Sequence, residues 1–279
     1  MDPLVQALIL GIVQGLTEFL PISSSGHLIV VPAILGWDDP FITSLAFSVM
    51  LHLGTLAALL LYFQRDWLRI VPAGLATLRD RSFGGDPDRR LAWILAAATV
   101  PAIIAGLLLS DLADTTFREP RLVAVTLVVG AAILWLADRH GRRTKTVGDV
   151  GFRVAVGIGI AQAAALVPGI SRSGISISAG LVAGLDRESA ARFSFLLATP
   201  ITALAGAYQA WRLISGDAGV DLAAQAGTLA IGVVASFVAG IAAIAFLLRY
   251  LRTRPTTLFV AYRIAFAALI LTWWLGLGR

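Results

Sequence analysis

Two apolar stretches of this chain, residues 4–35 and 154–185, are each interrupted near the middle by a polar turn sequence. The first interruption is Pro21-Ile-Ser-Ser-Ser-Gly26 and the second is Pro168-Gly-Ile-Ser-Arg-Ser-Gly174. Each interruption leaves two apolar arms that are too short to cross a bilayer, which takes roughly 20 apolar residues. Irregular backbone cannot face lipid, because its N–H and C=O groups would lack partners. We therefore predict two re-entrant hairpins whose tips are buried in protein or line a wet cavity.

Six further stretches are long and apolar enough to cross a membrane. They are residues 45–63, 91–110, 121–137, 193–213, 226–248 and 256–275. The chain is 58% hydrophobic and 14% charged, whereas a soluble protein is about 45–50% apolar and about 25% charged. This composition predicts a single membrane domain over residues 1–279. The sequence contains no cysteine, which excludes disulfides, thiolate metal ligands and thiol catalysis.

The basic residues fall in three clusters between apolar segments, and such clusters mark cytoplasmic loops. They occupy residues 65–90, 139–153 and 249–254. The intervening loops carry acidic pairs, namely Asp38 and Asp39, Asp111 and Asp114, and Asp217 and Asp221. All three basic clusters lie in the cytoplasm only if each hairpin returns to the side from which it entered the membrane. The first hairpin then enters from outside and the second from the cytoplasm. Topology therefore explains the net charge of +5, and we expect no nucleic-acid partner.

The two interrupted regions also resemble each other in sequence. Gly11-Ile-Val-Gln14 matches Gly159-Ile-Ala-Gln162, and at the same spacing Ser23-Ser-Ser-Gly26 matches Ser171-Arg-Ser-Gly174. Related units that enter from opposite faces place their sites near the membrane midplane, where broken helices meet. We predict an all-α polytopic membrane protein with six transmembrane helices plus two re-entrant broken-helix hairpins in an inverted-topology repeat. The repeat units cover approximately residues 1–137 and 151–279, joined by a basic cytoplasmic loop at 138–150.

The second tip has the composition of an anion-binding loop. Gly169 and Gly174 let backbone amides approach a ligand, and Ser171 and Ser173 offer hydroxyl groups. The planar guanidinium of Arg172 matches phosphate oxygens. A charged side chain at membrane depth costs about 2.5–3.5 kcal/mol, so this arginine indicates a bound anion or an acidic partner. The structural alternative is a helix break whose arginine reaches the membrane surface.

The first tip combines hydroxyl groups with an imidazole. Ser23, Ser24 and Ser25 could present a nucleophile and bind phosphate, and His27 could transfer a proton. The alternative is a serine-rich turn with a histidine that only makes a structural hydrogen bond.

Two oxygen-bearing side chains precede the first tip. Gln14 and Glu18 are four residues apart, so they lie on one face of a helix. They could hold a divalent cation such as Mg²⁺ or Ca²⁺, act as base and orienting group, or form a polar contact between helices. His52 lies in a predicted span, and both a cavity position and a structural hydrogen bond are compatible with its place in the sequence.

These motifs resemble those of a known family. Gln14-x-x-x-Glu18 followed by Phe-Leu-Pro-Ile-Ser-Ser-Ser-Gly-His27, together with the distal Pro-Gly-Ile-Ser-Arg-Ser-Gly sequence, is similar to the two signatures of the BacA-type undecaprenyl-diphosphate phosphatases. The late Tyr262-Arg263 also fits family patterns, and the resemblance covers essentially the whole chain. It implies hydrolysis of undecaprenyl diphosphate, which recycles the lipid carrier for peptidoglycan synthesis and confers bacitracin resistance. It also implies a divalent cation and a site facing the periplasm from the bacterial inner (plasma) membrane.

The resemblance also assigns roles to residues. It implies that Glu18 is the essential carboxylate with Gln14 as its partner at the metal, that His27 is the acid/base, and that Arg172 clamps phosphate. Ser24 is the candidate nucleophile, with water as the alternative. The implied substrate-binding residues are Ser23, Ser25, Gly169, Ser171, Arg172 and Ser173. The family often has Glu where this chain has Gln14, which leaves Glu18 as the only anionic metal ligand there.

Two alternative functions are a phosphatidic-acid-phosphatase-type lipid phosphatase and a membrane transporter or flippase. A phosphatidic-acid-phosphatase-type enzyme needs a histidine nucleophile several residues after its Ser-Arg sequence, and this chain has no histidine beyond His140. A secondary transporter or flippase would use the same broken helices but needs no nucleophile. The clustering of carboxylate, imidazole, hydroxyl and guanidinium groups favours hydrolysis.

Gly-rich membrane-facing surfaces permit a homodimer, and membrane lipid is an expected partner.

Overall fold

The described residues fold almost entirely into α-helices. A computed structural model describes residues 1–83, 85–108, 119–215 and 222–276, and within these ranges there are eleven α-helices. They are α1 (Pro3–Phe19), α2 (Ser24–Leu35), α3 (Leu45–Tyr62), α4 (Gln64–Asp80), α5 (Pro87–Leu108), α6 (Pro120–His140), α7 (Phe152–Ala163), α8 (Arg172–Val182), α9 (Arg187–Ile214), α10 (Leu222–Leu251) and α11 (Thr257–Gly276). Short 3₁₀ turns at Val147–Asp149 and Ala164–Leu166 precede and follow α7.

Six of these helices are long and apolar enough to cross a membrane, namely α3, α5, α6, α9, α10 and α11. They confirm the six predicted spans, each to within two helical turns at either end. The largest difference is at α9, which begins at Arg187 because Asp186 caps its N-terminus by accepting a hydrogen bond from Ser189 N at 2.7 Å. The predicted acidic loops at Asp111 and Asp114 and at Asp217 and Asp221 lie outside the described residues.

The two interrupted regions fold into the predicted pairs of short helices, α1 with α2 and α7 with α8. The second helix of each pair begins after a serine with positive φ, +74° at Ser23 and +73° at Ser171. Each serine hydroxyl accepts a hydrogen bond from the amide of the glycine three residues later, at 3.3 Å from Gly26 and 3.1 Å from Gly174. A positive φ is unfavourable for a residue with a side chain. The two tips therefore share one strained local structure, as their sequence similarity predicts.

The helices of the two halves pack crosswise. The first hairpin helix, α1, packs mainly on α10, and its counterpart α7 packs mainly on α5. Helix α3 contacts both α9 and α10, α9 contacts both α3 and α5, and α6 packs against α11. Each hairpin is thus supported by a helix of the other half. Two units related by a pseudo-twofold axis would produce this pattern, and the direction of each unit across the membrane stays a prediction.

Helix α4 was not predicted, because the sequence analysis considered only the basic charge of this segment. Its side chains Leu68, Val71, Leu75 and Leu78 recur at helical spacing and are all exposed. Exposed apolar residues on one face of a helix that also carries arginines are typical of a helix lying in the membrane interface.

Close helix packing depends on glycine at defined positions. Gly11 and Gly15 of α1 lie directly against the backbone of α10, and Gly159 of α7 lies directly against the backbone of Ala98 in α5. A methyl group at any of these positions would collide with backbone atoms of the neighbouring helix. By contrast, a methyl group at Gly157, also in α7, would meet open space.

We expect Gly159→Ala to lower the free energy of unfolding by about 1–3 kcal/mol, because backbone atoms cannot move aside as a flexible side chain can. Gly157→Ala is the matched control and should be neutral or stabilising by up to about 1 kcal/mol through its higher helix propensity. Thermal unfolding of both variants in detergent measures the difference. Equal melting temperatures for the two variants would contradict the packing of α7 on α5.

Candidate active site

The tips of the two hairpins touch each other inside the helix bundle. The amide of Gly169 in the second tip donates a hydrogen bond to Ser23 Oγ in the first tip at 3.0 Å. In the other direction, Ser173 Oγ donates to the carbonyl of Leu20 at 3.1 Å. Polar groups that cannot be satisfied by lipid are therefore satisfied across the contact between the tips.

A fully buried arginine of α11, Arg263, completes this contact. Its guanidinium donates to the carbonyl of Pro21 in the first tip at 3.3 Å and to the carbonyls of Gly169 and Ile170 in the second tip at 2.7 and 3.0 Å. Its Nε donates to the carbonyl of Leu127 in α6 at 3.1 Å. The side chain thus fixes both tips to each other and to the helices beside them.

Arg263 belongs to the sequence pattern that resembles the family, but no role for it was predicted from the sequence. A signal was present, because a charged residue in the middle of a predicted span defaults to a functional position. Its backbone partners lie far away in the sequence, so the clamp itself could be seen only in the folded chain.

The carboxylate of Glu18, at the end of α1, is the centre of a polar network and is only 5% exposed. Its Oε1 accepts a hydrogen bond from Arg172 Nη2 at 2.5 Å. Its Oε2 accepts from Gln14 Nε2 at 3.0 Å and from the hydroxyl of Ser24, and His52 Nε2 lies 3.4 Å away. Glu18 of the first hairpin is thus paired with Arg172 of the second. Glu18 is therefore the acidic partner that the position of Arg172 in the sequence indicates.

The other nitrogen of the Arg172 guanidinium is held by α9. Its Nη1 donates to the carbonyl of Ala198 at 3.1 Å and to Thr202 Oγ1 at 2.8 Å. Contacts on two sides orient the guanidinium and leave little of it exposed, with 18% of the side chain accessible. This geometry does not support the alternative in which the arginine reaches the membrane surface.

The structure places His27 differently from its predicted role. Its Nδ1 lies 2.7 Å from the carbonyl of Ser23 and must donate to it, since a carbonyl oxygen only accepts. Its Nε2 lies 2.7 Å from the hydroxyl of Tyr262, and its ring stacks on Phe266 at 4.1 Å. Because both nitrogens are engaged and the residue does not line the cavity described next, a direct proton transfer by His27 is not supported. His52, whose role the sequence left open, is the histidine that faces Glu18.

A cavity of about 300 Å³ lies beside this network. Both polar and apolar residues line it. The polar ones are Glu18, Ser24, Ser25, His52, Gln162, Ser171, Arg172 and Thr202, and the apolar ones include Val49, Ala102, Gly106, Leu166, Ile201 and Ala205. A ligand with an anionic head and an apolar tail fits such a lining.

The predicted phosphate-binding residues divide into two groups. Ser25, Ser171 and Arg172 line the cavity, where they can contact a ligand. Ser23, Gly169 and Ser173 do not line it, and their polar atoms instead join the two tips. For the second group the structure therefore favours a positioning role over the predicted direct contact with phosphate.

The donor atoms beside Glu18 fit a divalent cation only together with a ligand. Gln14 Oε1 is buried and has no hydrogen-bond partner within the described part of the chain, and the Glu18 carboxylate is adjacent. Within the described ranges no group of three or more histidine or acidic side chains is arranged to hold a metal ion. Mg²⁺ is commonly held by one or two carboxylates plus substrate phosphates, so Gln14 and Glu18 suffice if phosphate oxygens complete the coordination.

We expect Arg263→Met to destabilise the protein by about 3 kcal/mol or more, because four buried carbonyls would lose a charged donor at once. The matched control is Arg249→Met, since Arg249 is an exposed arginine near the end of α10. Thermal unfolding in detergent measures both. An Arg263→Met variant that is as stable as Arg249→Met would show that the tips do not depend on this clamp.

Comparisons with known proteins agree over nearly the whole chain. The model of the family described as "Bacitracin resistance protein BacA" matches residues 7–269. An undecaprenyl-diphosphatase of Moorella thermoacetica is 46% identical over 97% of this chain and 98% of its own length. Proteins of the same name from Rubrobacter xylanophilus and Chloroherpeton thalassium are 46% and 42% identical, over 97% and 99% of this chain and 98% of each relative. The chain therefore belongs to the BacA family of bacitracin resistance proteins.

Proposed function

We propose that this chain hydrolyses undecaprenyl diphosphate to undecaprenyl phosphate and inorganic phosphate in the bacterial plasma membrane. The observation that carries the proposal is a cavity that Glu18, Ser24 and Arg172 line together with apolar residues. The diphosphate would contact the polar residues, and the first isoprene units would leave along the apolar ones. The names of the relatives support the same substrate.

In this proposal Arg172 binds the terminal phosphate. Its guanidinium pairs with Glu18, so a phosphate oxygen entering the cavity would compete with a carboxylate oxygen for the same N–H group. Charge-assisted hydrogen bonds of a guanidinium to phosphate are strong and directional. The contacts of Arg172 with α9 keep the guanidinium at the cavity wall during this exchange, so that it can stabilise the charge of the phosphoryl group in the transition state.

The orientation of Ser24 supports a serine nucleophile rather than water. The hydroxyl of Ser24 donates its hydrogen bond to Glu18 Oε2, which places a base beside the proton that must leave. Ser24 Oγ would form a bond to the terminal phosphorus while Glu18 takes the proton. The bond between that phosphorus and the bridging oxygen would break, and the lipid phosphate would leave with the electron pair. The oxygen of a water molecule would then bond to the same phosphorus while its bond to Ser24 Oγ breaks. Glu18 would return the proton to Oγ, and inorganic phosphate would leave with both protons of the water.

A divalent cation bound by Glu18 and Gln14 would neutralise charge on the phosphoryl oxygens. This position for the cation is supported by the buried Gln14 Oε1, which has no partner among the described residues, and by the neighbouring carboxylate of Glu18. Loss of phosphate release in EDTA, with recovery on adding Mg²⁺ or Ca²⁺, tests this requirement; full activity in excess EDTA would remove it.

The cavity is proposed to open toward the periplasm. Gly106 and Ala205 line it, and each lies in the half of its helix, α5 or α9, that is farther from the basic cytoplasmic loops. Under the positive-inside rule that half is the outer one. A diphosphate lipid in the outer leaflet could then enter without crossing the membrane.

We expect Glu18→Ala and Arg172→Ala each to reduce phosphate release by at least about 10²-fold, the usual cost of removing one electrostatic contact to a transition state. A matched control is the exposed ion pair between α9 and α10, with Glu188→Ala and Arg252→Ala expected to keep full activity. The measurement is inorganic phosphate released from a prenyl diphosphate by purified protein in detergent. Near-normal turnover by both site variants would end this mechanism, and a pure transporter would release no phosphate at all.

We expect Ser24→Ala to abolish both turnover and the covalent phosphoenzyme, because no oxygen would remain at the attacking position. Ser25→Ala, one residue further along the same cavity wall, should keep the phosphoenzyme. Acid quenching with substrate labelled in the terminal phosphate measures the covalent product. Normal turnover by Ser24→Ala would assign the attack to water.

A further inference from the structure

One buried polar side chain in the cavity takes no part in the mechanism above. Gln162, at the end of α7, is 3% exposed and lines the cavity. Among the residues that the structure describes, neither its amide oxygen nor its amide nitrogen has a hydrogen-bond partner. A buried amide without partners costs about 1–3 kcal/mol, so its position in the cavity wall indicates a polar ligand.

The internal repeat explains why the Gln162 amide has no hydrogen-bond partner among the described residues. Gln162 stands at the position that Gln14 occupies in the first hairpin, and Gln14 donates to the carboxylate of Glu18 four residues later. The residue four positions after Gln162 is Leu166, which lines the same cavity but offers no acceptor. The second hairpin has thus kept the amide and has no acid to pair with it.

Packing places Gln162 near the apolar residues of α5 that line the cavity. Gly159, about one turn before it, lies against Ala98 of α5. Ala102, one turn after Ala98, is one of the apolar residues that line the cavity. The predicted topology directs α5 and α7 the same way across the membrane, so Gln162 comes beside Ala102. Arg172 and Glu18 line the same cavity from the tips.

We propose that Gln162 binds the phosphate that stays on the lipid, donating from its amide nitrogen to an oxygen of that group. This assignment rests on the proposed function and names the site of the second phosphate within it. Arg172 would hold the phosphate that is transferred, and Gln162 would hold the one that leaves with the prenyl chain. A neutral donor can bind this product while still allowing its release. Gln162 is therefore a specificity residue for prenyl diphosphates.

The test compares Gln162→Met with Gln6→Met in the purified full-length chain. Methionine keeps the size of the side chain and removes its polar atoms. Gln6 is also buried with an unpartnered amide oxygen, but it lies outside this cavity. The probes are a C15 prenyl diphosphate as substrate and the C15 prenyl monophosphate as competitive inhibitor. We expect Gln162→Met to raise both KM and the inhibition constant about tenfold, the loss of one hydrogen bond to a charged group, with kcat changed less than about threefold.

Stability separates ligand binding from a structural role. The melting temperature of substrate-free Gln162→Met should equal or exceed that of the unmodified chain, because no internal hydrogen bond is lost. Gln162→Glu, which retains the size but brings a negative charge, should weaken inhibition by the monophosphate further than methionine does.

Three results would overturn the proposal: unchanged KM and inhibition constant, a loss confined to kcat, or a melting temperature lowered well below that of the unmodified chain. The first would show no contact with the ligand, the second would place Gln162 at the transferred phosphate, and the third would make it structural. If the unmodified chain released no phosphate, the proposed function would fail instead. Calorimetric binding of the monophosphate would then still test Gln162 by itself.

Discussion

The guanidinium of Arg263 binds backbone carbonyls that neither hairpin can satisfy alone. A helix interrupted inside a bilayer leaves polar backbone groups without water or lipid partners. Here one buried side chain donates to carbonyls of both tips and of α6, and the serines at positive φ accept hydrogen bonds from the amides of Gly26 and Gly174. Because the tips are fixed in this way, Glu18 and Arg172, which lie far apart in the sequence, can form one buried pair.

The two tips have the same backbone conformation at their capping serines but carry different functional side chains at the aligned positions. Aligning the repeats places Ser24 opposite Arg172, Glu18 opposite Leu166 and Gln14 opposite Gln162. The proposed nucleophile and the proposed phosphate clamp thus follow the same capping serine in their respective hairpins, Ser23 and Ser171. Ser24 and Arg172 both contact the carboxylate of Glu18, so the first hairpin contributes a hydroxyl and a carboxylate at this point and the second contributes a cation.

Much of this arrangement could be predicted from the sequence, because its signals are local. Apolar length identified the six spans, and the Pro/Gly/Ser interruptions located both tips. The roles of individual polar residues were less predictable, because they depend on which way a side chain faces. His27 follows a serine-rich tip as an acid/base would, yet it turns toward Tyr262. His52 and Arg263 lie in apolar spans, and only long-range packing shows that one faces Glu18 and that the other holds the tips. Helix α4 was missed because its basic charge concealed its apolar face.

The contact between the tips can be measured directly, since the chain has no cysteine of its own. Ser173 Oγ lies 3.1 Å from the carbonyl of Leu20, so the thiols of Leu20→Cys combined with Ser173→Cys should lie within reach of a short cross-linker that joins two thiols. Leu20→Cys with Ser178→Cys, more than one turn further along α8, is the control pair. Rapid reaction of the first pair with this cross-linker in membranes, and little of the second, is the predicted result. Failure of the first pair to cross-link, or equal cross-linking of both, would contradict a site formed where the two hairpins meet.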